Sequence, residues 1–186
     1  MAIESSHSLS IESQRLLLQI AREAIGAHLS NNIPPKLQIT DADLLQECGA
    51  FVTLHKAGKL RGCIGYTVSH KPLYETVAEV AIAAATRDPR FKRVTYEEMS
   101  EITLEVSVLT PLQRLHHSGE IKIGIHGLYI KHGGQSGLLL PQVATAYGWD
   151  HIQFLQQTCR KAHLPENAWK EPGVEIYLFS AQVFGE

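Results

Sequence analysis

Cysteine is scarce here: three in 186 residues, Cys48, Cys63 and Cys159, with no Cys-x-x-Cys pair among them. Neither a disulfide framework nor a thiolate zinc knuckle fits so few, widely spaced thiols, and reduced cysteines in a cytoplasmic protein are expected. Charge is sparse and balanced, with 17 Lys plus Arg against 19 Asp plus Glu and a net charge of -2. No basic run is interleaved with aromatics, so nucleic acid is not an expected partner. No apolar stretch is long enough to span a bilayer, and Met1 to Ser8 lacks the basic region and apolar run of a secretory signal. No membrane association is expected.

The ten histidines show no His-Glu-x-x-His helix, and adjacent His116 and His117 point opposite ways if extended, so no metal and no cofactor is expected. Gly133-Gly134 lacks the strand, glycine loop and helix of a phosphate cradle and is expected to be a hairpin turn. What remains is a chain with 44% apolar residues, enough for a hydrophobic core and for enzymatic work.

Apolar residues at helical spacing predict a helix from Ser10 as cap to about Ser30, stopped by Pro34-Pro35. Phe51 to His55 and Leu60 to Ile64 read as a hairpin with Cys63 at its exit. Pro72 opens a second helix, which Asp88-Pro89 ends. Glu101 to Leu109 alternates strictly, and Ile121 to Lys131 repeats the alternation, turning at Gly133-Gly134 into Leu138 to Leu140. Pro141 and Asp150 open two more helical stretches, and Val174 to Phe179 with Val183-Phe184 forms a last strand. Helices and strands mix without regular alternation, so the class is α+β, with mainly antiparallel sheets and flanking helices.

The stretch Arg61-Gly62-Cys63-Ile64-Gly65 carries the chemical question. A cysteine nucleophile works as thiolate and needs a cation, a helix N-terminus or a histidine nearby. Arg61 shares an extended-strand face with Cys63, and the helix opening near Pro72 could aim free N–H groups at it. Gly62 and Gly65 admit close approach of backbone or substrate. The alternative is that the glycines make a bend and the thiol fills a core gap. His126 is a candidate proton partner or a hydrogen-bonded structural histidine. Asp88 and Arg90 could orient a base and bind an anion, or pair locally after the Asp-Pro stop. Glu105, Ser107 and Thr110 read as solvent-facing or structural.

Leu60-Arg61-Gly62-Cys63-Ile64-Gly65, Asp88-Pro89-Arg90-Phe91, Glu105-Val106-Ser107-Val108-Leu109-Thr110, His126-Gly127, Leu140-Pro141 and Trp149 together resemble the AMMECR family, named for a chromosomal region linked to Alport syndrome, midface hypoplasia and elliptocytosis. The resemblance runs in order from about Phe51 to Phe184. It implies one AMMECR-type domain over residues 1–186, with two lobes of discontinuous boundaries around a cleft, and functional weight on Arg61 to Gly65. Prokaryotic relatives are called AmmeMemoRadiSam system protein A, which implies Memo-like and radical-SAM pathway partners. Three functions are open: a small-molecule enzyme with Cys63 as nucleophile or acid/base, His126 as proton partner and Arg61 or Arg90 as anion clamp; a non-catalytic ligand-binding or scaffold protein; or, despite the lack of ligand spacing, metal binding through histidines that converge in space.

Overall fold

A computed structural model describes residues 8–33 and 38–186. The chain divides into two compact units, one of residues 1–108 with 182–186 and one of residues 109–181.

In the first unit, helix α1 (Ile11–Leu29) starts as its sequence predicts, with the Ser10 side chain accepting the Ser13 N–H at 3.0 Å. It ends where the Ser30 N–H reaches Gly26 O; the Pro34-Pro35 pair expected to stop it lies outside the described residues. Strands β1 (Ala50–Lys56) and β2 (Lys59–Tyr66) form an antiparallel hairpin. Ala57 and Gly58 both take positive φ, 51° and 72°, the two-residue turn whose twist matches that of the flanking strands. Cys63 lies inside β2 rather than at the hairpin's exit, because pairing continues to Tyr66 opposite Ala50. Helix α2 (Leu73–Thr86) follows Pro72, and β3 (Ile102–Leu109) pairs with β1 to give the order β2-β1-β3.

Alternation decides which side of this sheet is core. Ala50, Val52 and Leu54 of β1 and Leu104 and Val106 of β3 are fully or almost fully buried, and they pack with Leu17 and Ile25 of α1 and Val77 and Val80 of α2. Ala81, Ala84 and Ala85 bring the backbone of α2 close to its neighbours. Phe51, Thr53 and His55 therefore face the other side.

In the second unit the strands are β4 (Gln113–Arg114), β5 (His126–His132), β6 (Gln135–Leu139) and most of β7 (Glu175–Gly185), in antiparallel pairs β4 with β7, β7 with β5 and β5 with β6. The predicted strand from Ile121 starts only at His126. Gly124 takes φ 81°, and the Ile125 and His126 N–H groups both return to Lys122 O, so a turn replaces the alternating pattern and leaves Ile125 exposed. Helices α3 (Pro141–Tyr147) and α4 (His151–Lys161) cover β5 with Ala144, Phe154, Leu155 and Cys159. Asp150 caps α4 in a reciprocal box: its carboxylate accepts the Gln153 N–H at 2.8 Å, and Gln153 Oε1 accepts the Asp150 N–H at 3.0 Å. Asp150→Ala is expected to lower stability by about 1 kcal/mol in urea unfolding.

The fold is thus α+β with antiparallel strand pairing. Among the described residues no helix is long and apolar enough to cross a membrane.

Candidate functional site

Register explains the surroundings of Cys63. It stands opposite Thr53, and its backbone groups turn outward, away from β1. The Cys63 N–H donates to Asp88 Oδ2 at 2.9 Å, and its carbonyl accepts from Arg90 Nη2 at 3.4 Å. Such a non-hydrogen-bonded cross-strand pair brings side chains closest, and the Thr53 hydroxyl donates to Cys63 Sγ at 3.3 Å. β2 is an edge strand, so its outward groups need partners from elsewhere. At Cys63 the Asp88–Arg90 pair supplies them.

Asp88 is held tightly. Its side chain is 2% exposed against 54% for Arg90, and it accepts from Arg90 Nη2 at 2.7 Å, Nε at 2.9 Å and the Arg90 N–H at 3.1 Å. The Arg90 hydrogen bonds, helped by the Cys63 N–H and opposed by burial, hold its carboxyl well below the usual carboxylate range. Arg90 also lies 5.4 Å above the Phe91 ring.

Arg61 is equally occupied. The pairing skips it, Leu54 standing opposite Gly62 and His55 opposite Leu60, which makes it the extra residue of a β-bulge. Its guanidinium grips Glu98 through Nε at 3.3 Å and Nη2 at 3.0 Å, and Nη1 donates to Lys92 O at 2.8 Å. Arg61, then the Thr95 N–H, bring the Glu98 carboxyl down to about 2. The anion that Arg61 clamps is the chain's own.

The two glycines of the block face opposite sides. A Cβ on Gly62 would collide with the Ala84 carbonyl oxygen of α2, and one on Gly65 with the Phe51 ring. The close approaches they permit are made by the chain itself. The expected helix N-terminus is not directed at the thiol: the Leu73 and Tyr74 N–H groups go to Gln46 O and Leu44 O. The end of α2 at β2 is its C-terminal turn, whose carbonyls carry partial negative charge.

What the sheet assembles instead is a row. Cys63, Thr53 and Glu105 stand opposite one another on β2, β1 and β3, on the side away from the helices, with Phe51 over Gly65 alongside. Glu105, expected to be solvent-facing or structural, and Thr53, which no sequence pattern marks, are brought into line with the thiol only by register. Burial pushes the thiols of Cys48 and the fully buried Cys159 up.

His126 belongs to the second unit. Its Nδ1 accepts the Lys122 N–H at 3.2 Å, and the imidazole also bonds the Glu120 backbone. Burial lowers its pKa, and the lone pair of Nδ1 is spent on its own turn. Among the described residues no group of three or more His, Cys, Asp and Glu side chains is placed to hold a metal ion.

Comparison with known proteins adds relatives of similar length. The AMMECR1 family model matches residues 18–184. A protein of Methanothermobacter thermautotrophicus is 46% identical over 96% of both chains, and one of Methanocaldococcus jannaschii is 51% identical over 96% of this chain and 92% of its own. The crystal structure of an uncharacterized protein from Pyrococcus horikoshii superposes with a TM-score of 0.84 at 39% identity, covering 92% of this chain and 90% of the other.

Proposed function

The chain belongs to the AMMECR1 family, and we propose that the sheet face around Cys63 is a small-molecule site in which the thiol is the reacting group. The supporting observation is the unequal treatment of one residue: the backbone of Cys63 is pinned on both sides by Asp88 and Arg90, while its side chain stays partly exposed under the Thr53 hydroxyl. These bonds satisfy the strand edge whatever side chain stands there, and a reacting thiol also gains a fixed position from them.

In this reading the Thr53 O–H stabilises the thiolate, and the Arg90 guanidinium adds positive charge nearby. Glu105 stands two strand spacings from Cys63, roughly 10 Å, too far to take the thiol proton directly. Its role is toward a substrate lying along the row: the thiolate, its proton lost to solvent, adds to a carbonyl carbon whose π electrons move to oxygen, and the carboxylate exchanges a proton with a group at the substrate's far end. His126, the proton partner expected from sequence, is tested in the same assay by His126→Ala.

A second reading takes the face as non-catalytic, binding a small molecule or the Memo-like and radical-SAM partners implied by the resemblance. It is favoured by the internal pairing of Arg61 with Glu98 and of Arg90 with Asp88, which commits both arginines expected as anion clamps.

Alkylation of the native protein by iodoacetamide across pH, read by mass spectrometry with Cys48 and Cys159 as internal controls, separates the two. The catalytic reading expects Cys63 to label first, with Thr53→Val slowing it about tenfold at pH 7, the loss of one hydrogen bond to a charged group. Labelling of Cys63 no faster than Cys48, and untouched by Thr53→Val, would sink the catalytic reading. Partner co-purification that survives Cys63→Ser would then support the second.

A further inference from the structure

On the sheet face that carries Cys63, two polar side chains of β3 have no partner. Glu105 stands opposite Thr53, and alternation gives it Thr103 and Ser107 as same-face neighbours on its own strand. Threonine and serine supply no positive charge, and the half-buried Glu105 carboxylate makes no hydrogen bond or ion pair among the described residues. Ser107, opposite Phe51, is 2% exposed, and its hydroxyl likewise has no partner among the described residues. Among those residues the side-chain atom both unpaired and sealed from solvent is Trp169 Nε1, so the Ser107 oxygen keeps some access. The Phe51 ring lies the other way, over Gly65 of β2.

A buried hydroxyl without a hydrogen bond is costly, and a carboxylate beside it without a counter-charge adds to the cost. One arriving group removes both if it is a cation with several N–H donors, since a carboxylate only accepts and a serine oxygen has lone pairs to offer. A primary ammonium meets that description, with its donors on one compact charge. Same-face neighbours on one strand stand roughly 7 Å apart, a gap that an ammonium spans with a bond of about 2.8 Å to each side. The other end of the row has the opposite sign: Arg90 borders Cys63 at the edge of β2. Positive charge at β2 and an unpaired carboxylate at β3 orient a ligand with its cation at one end.

We infer, resting on the reading of Cys63 as the reacting thiol, that the substrate is a small amine: its primary ammonium is held by Glu105 and the Ser107 hydroxyl, and its reacting carbonyl lies at the other end, over the thiol.

The probes are 4-aminobutyl and butyl methanethiosulfonate, which differ by the ammonium alone and turn an accessible thiol into a mixed disulfide with release of methanesulfinate. Rates at Cys63 and Cys48 of the full chain are read by mass spectrometry, each divided by the rate of the same reagent with free 2-mercaptoethanol. Cys63 should prefer the aminobutyl reagent about tenfold, the worth of a hydrogen bond to a charged group. Glu105→Gln, of the same shape and neutral, should remove the preference, and Ser107→Ala should reduce it about threefold, with Cys48 unmoved by either. Both reagents need the same access, so a mere change of packing leaves the ratio where it was. The inference is overturned by equal corrected rates at Cys63, or by a preference that either variant leaves unchanged. Fast iodoacetamide labelling of Cys63 without an ammonium preference sinks this inference alone. An ammonium preference at a thiol that iodoacetamide labels no faster than Cys48 sinks the catalytic reading and leaves an amine-binding face.

Discussion

Replacing Asp88 by alanine is expected to lower the stability of the folded chain by about 3 kcal/mol, as the loss of a buried carboxylate that accepts several charge-assisted hydrogen bonds. The partner left behind is the part-buried Cys63 N–H on the edge of β2. Arg90 is half exposed and can return to water, so most of the loss falls on Asp88 and the strand edge rather than on the arginine. Equilibrium urea unfolding measures it, and a loss below about 1 kcal/mol, the size of an ordinary exposed contact, would mean the edge is not braced as described.

The same carboxylate has a pH signature. Its folded pKa is lowered, chiefly by the Arg90 hydrogen bonds, so the folded state binds its proton later than the unfolded chain does as pH falls. The contribution is complete above the unfolded value of about 4 and is lost progressively as pH falls from there through the folded pKa. The wild-type chain should therefore lose stability below about pH 4 more steeply than Asp88→Ala. Parallel slopes would show that Asp88 is not held in its ionised form.

Gly62→Ala is the second large effect, expected to cost about 3 kcal/mol, at the upper end of ordinary overpacking. The new methyl would collide with the Ala84 carbonyl oxygen, and a helix backbone cannot swing aside as a side chain can. Either α2 moves off the sheet or β2 moves off α2, and both separate surfaces that meet in the first core. Gly134→Ala is the control, since a Cβ there meets nothing within 4 Å and its φ is not in the left-handed region. It should change stability by no more than about 0.5 kcal/mol. If both variants unfold at the same urea concentration, the close approach at Gly62 is not rigid. If Gly62→Ala also slows Cys63 alkylation, the β2 register and the thiol's position are coupled through α2.

Much of the fold was legible in the chain because it rests on local chemistry. Ser10 and Asp150 cap their helices because short polar side chains reach the first free N–H groups, and β3 follows its alternation because one face is buried. The segment from Lys122 to Ile125 was misread, because a period of two says nothing about whether a partner strand is present. Gly124 at positive φ closes a turn there instead.

The site divides in the same way. Sequence by itself determined that a lone thiol sits in a glycine-flanked strand block followed downstream by Asp88 and Arg90, since spacing and residue type carry that much. Only the tertiary structure decided what those residues do. A bulge at Arg61 leaves its guanidinium on Glu98, antiparallel register puts Thr53 and Glu105 in line with Cys63, and the loop after α2 returns Asp88 and Arg90 to the strand edge. The hydrogen bonds among them join residues 10 to 37 positions apart, set by strand pairing and helix packing, and no local periodicity records which distant residue will arrive at a given hydrogen bond.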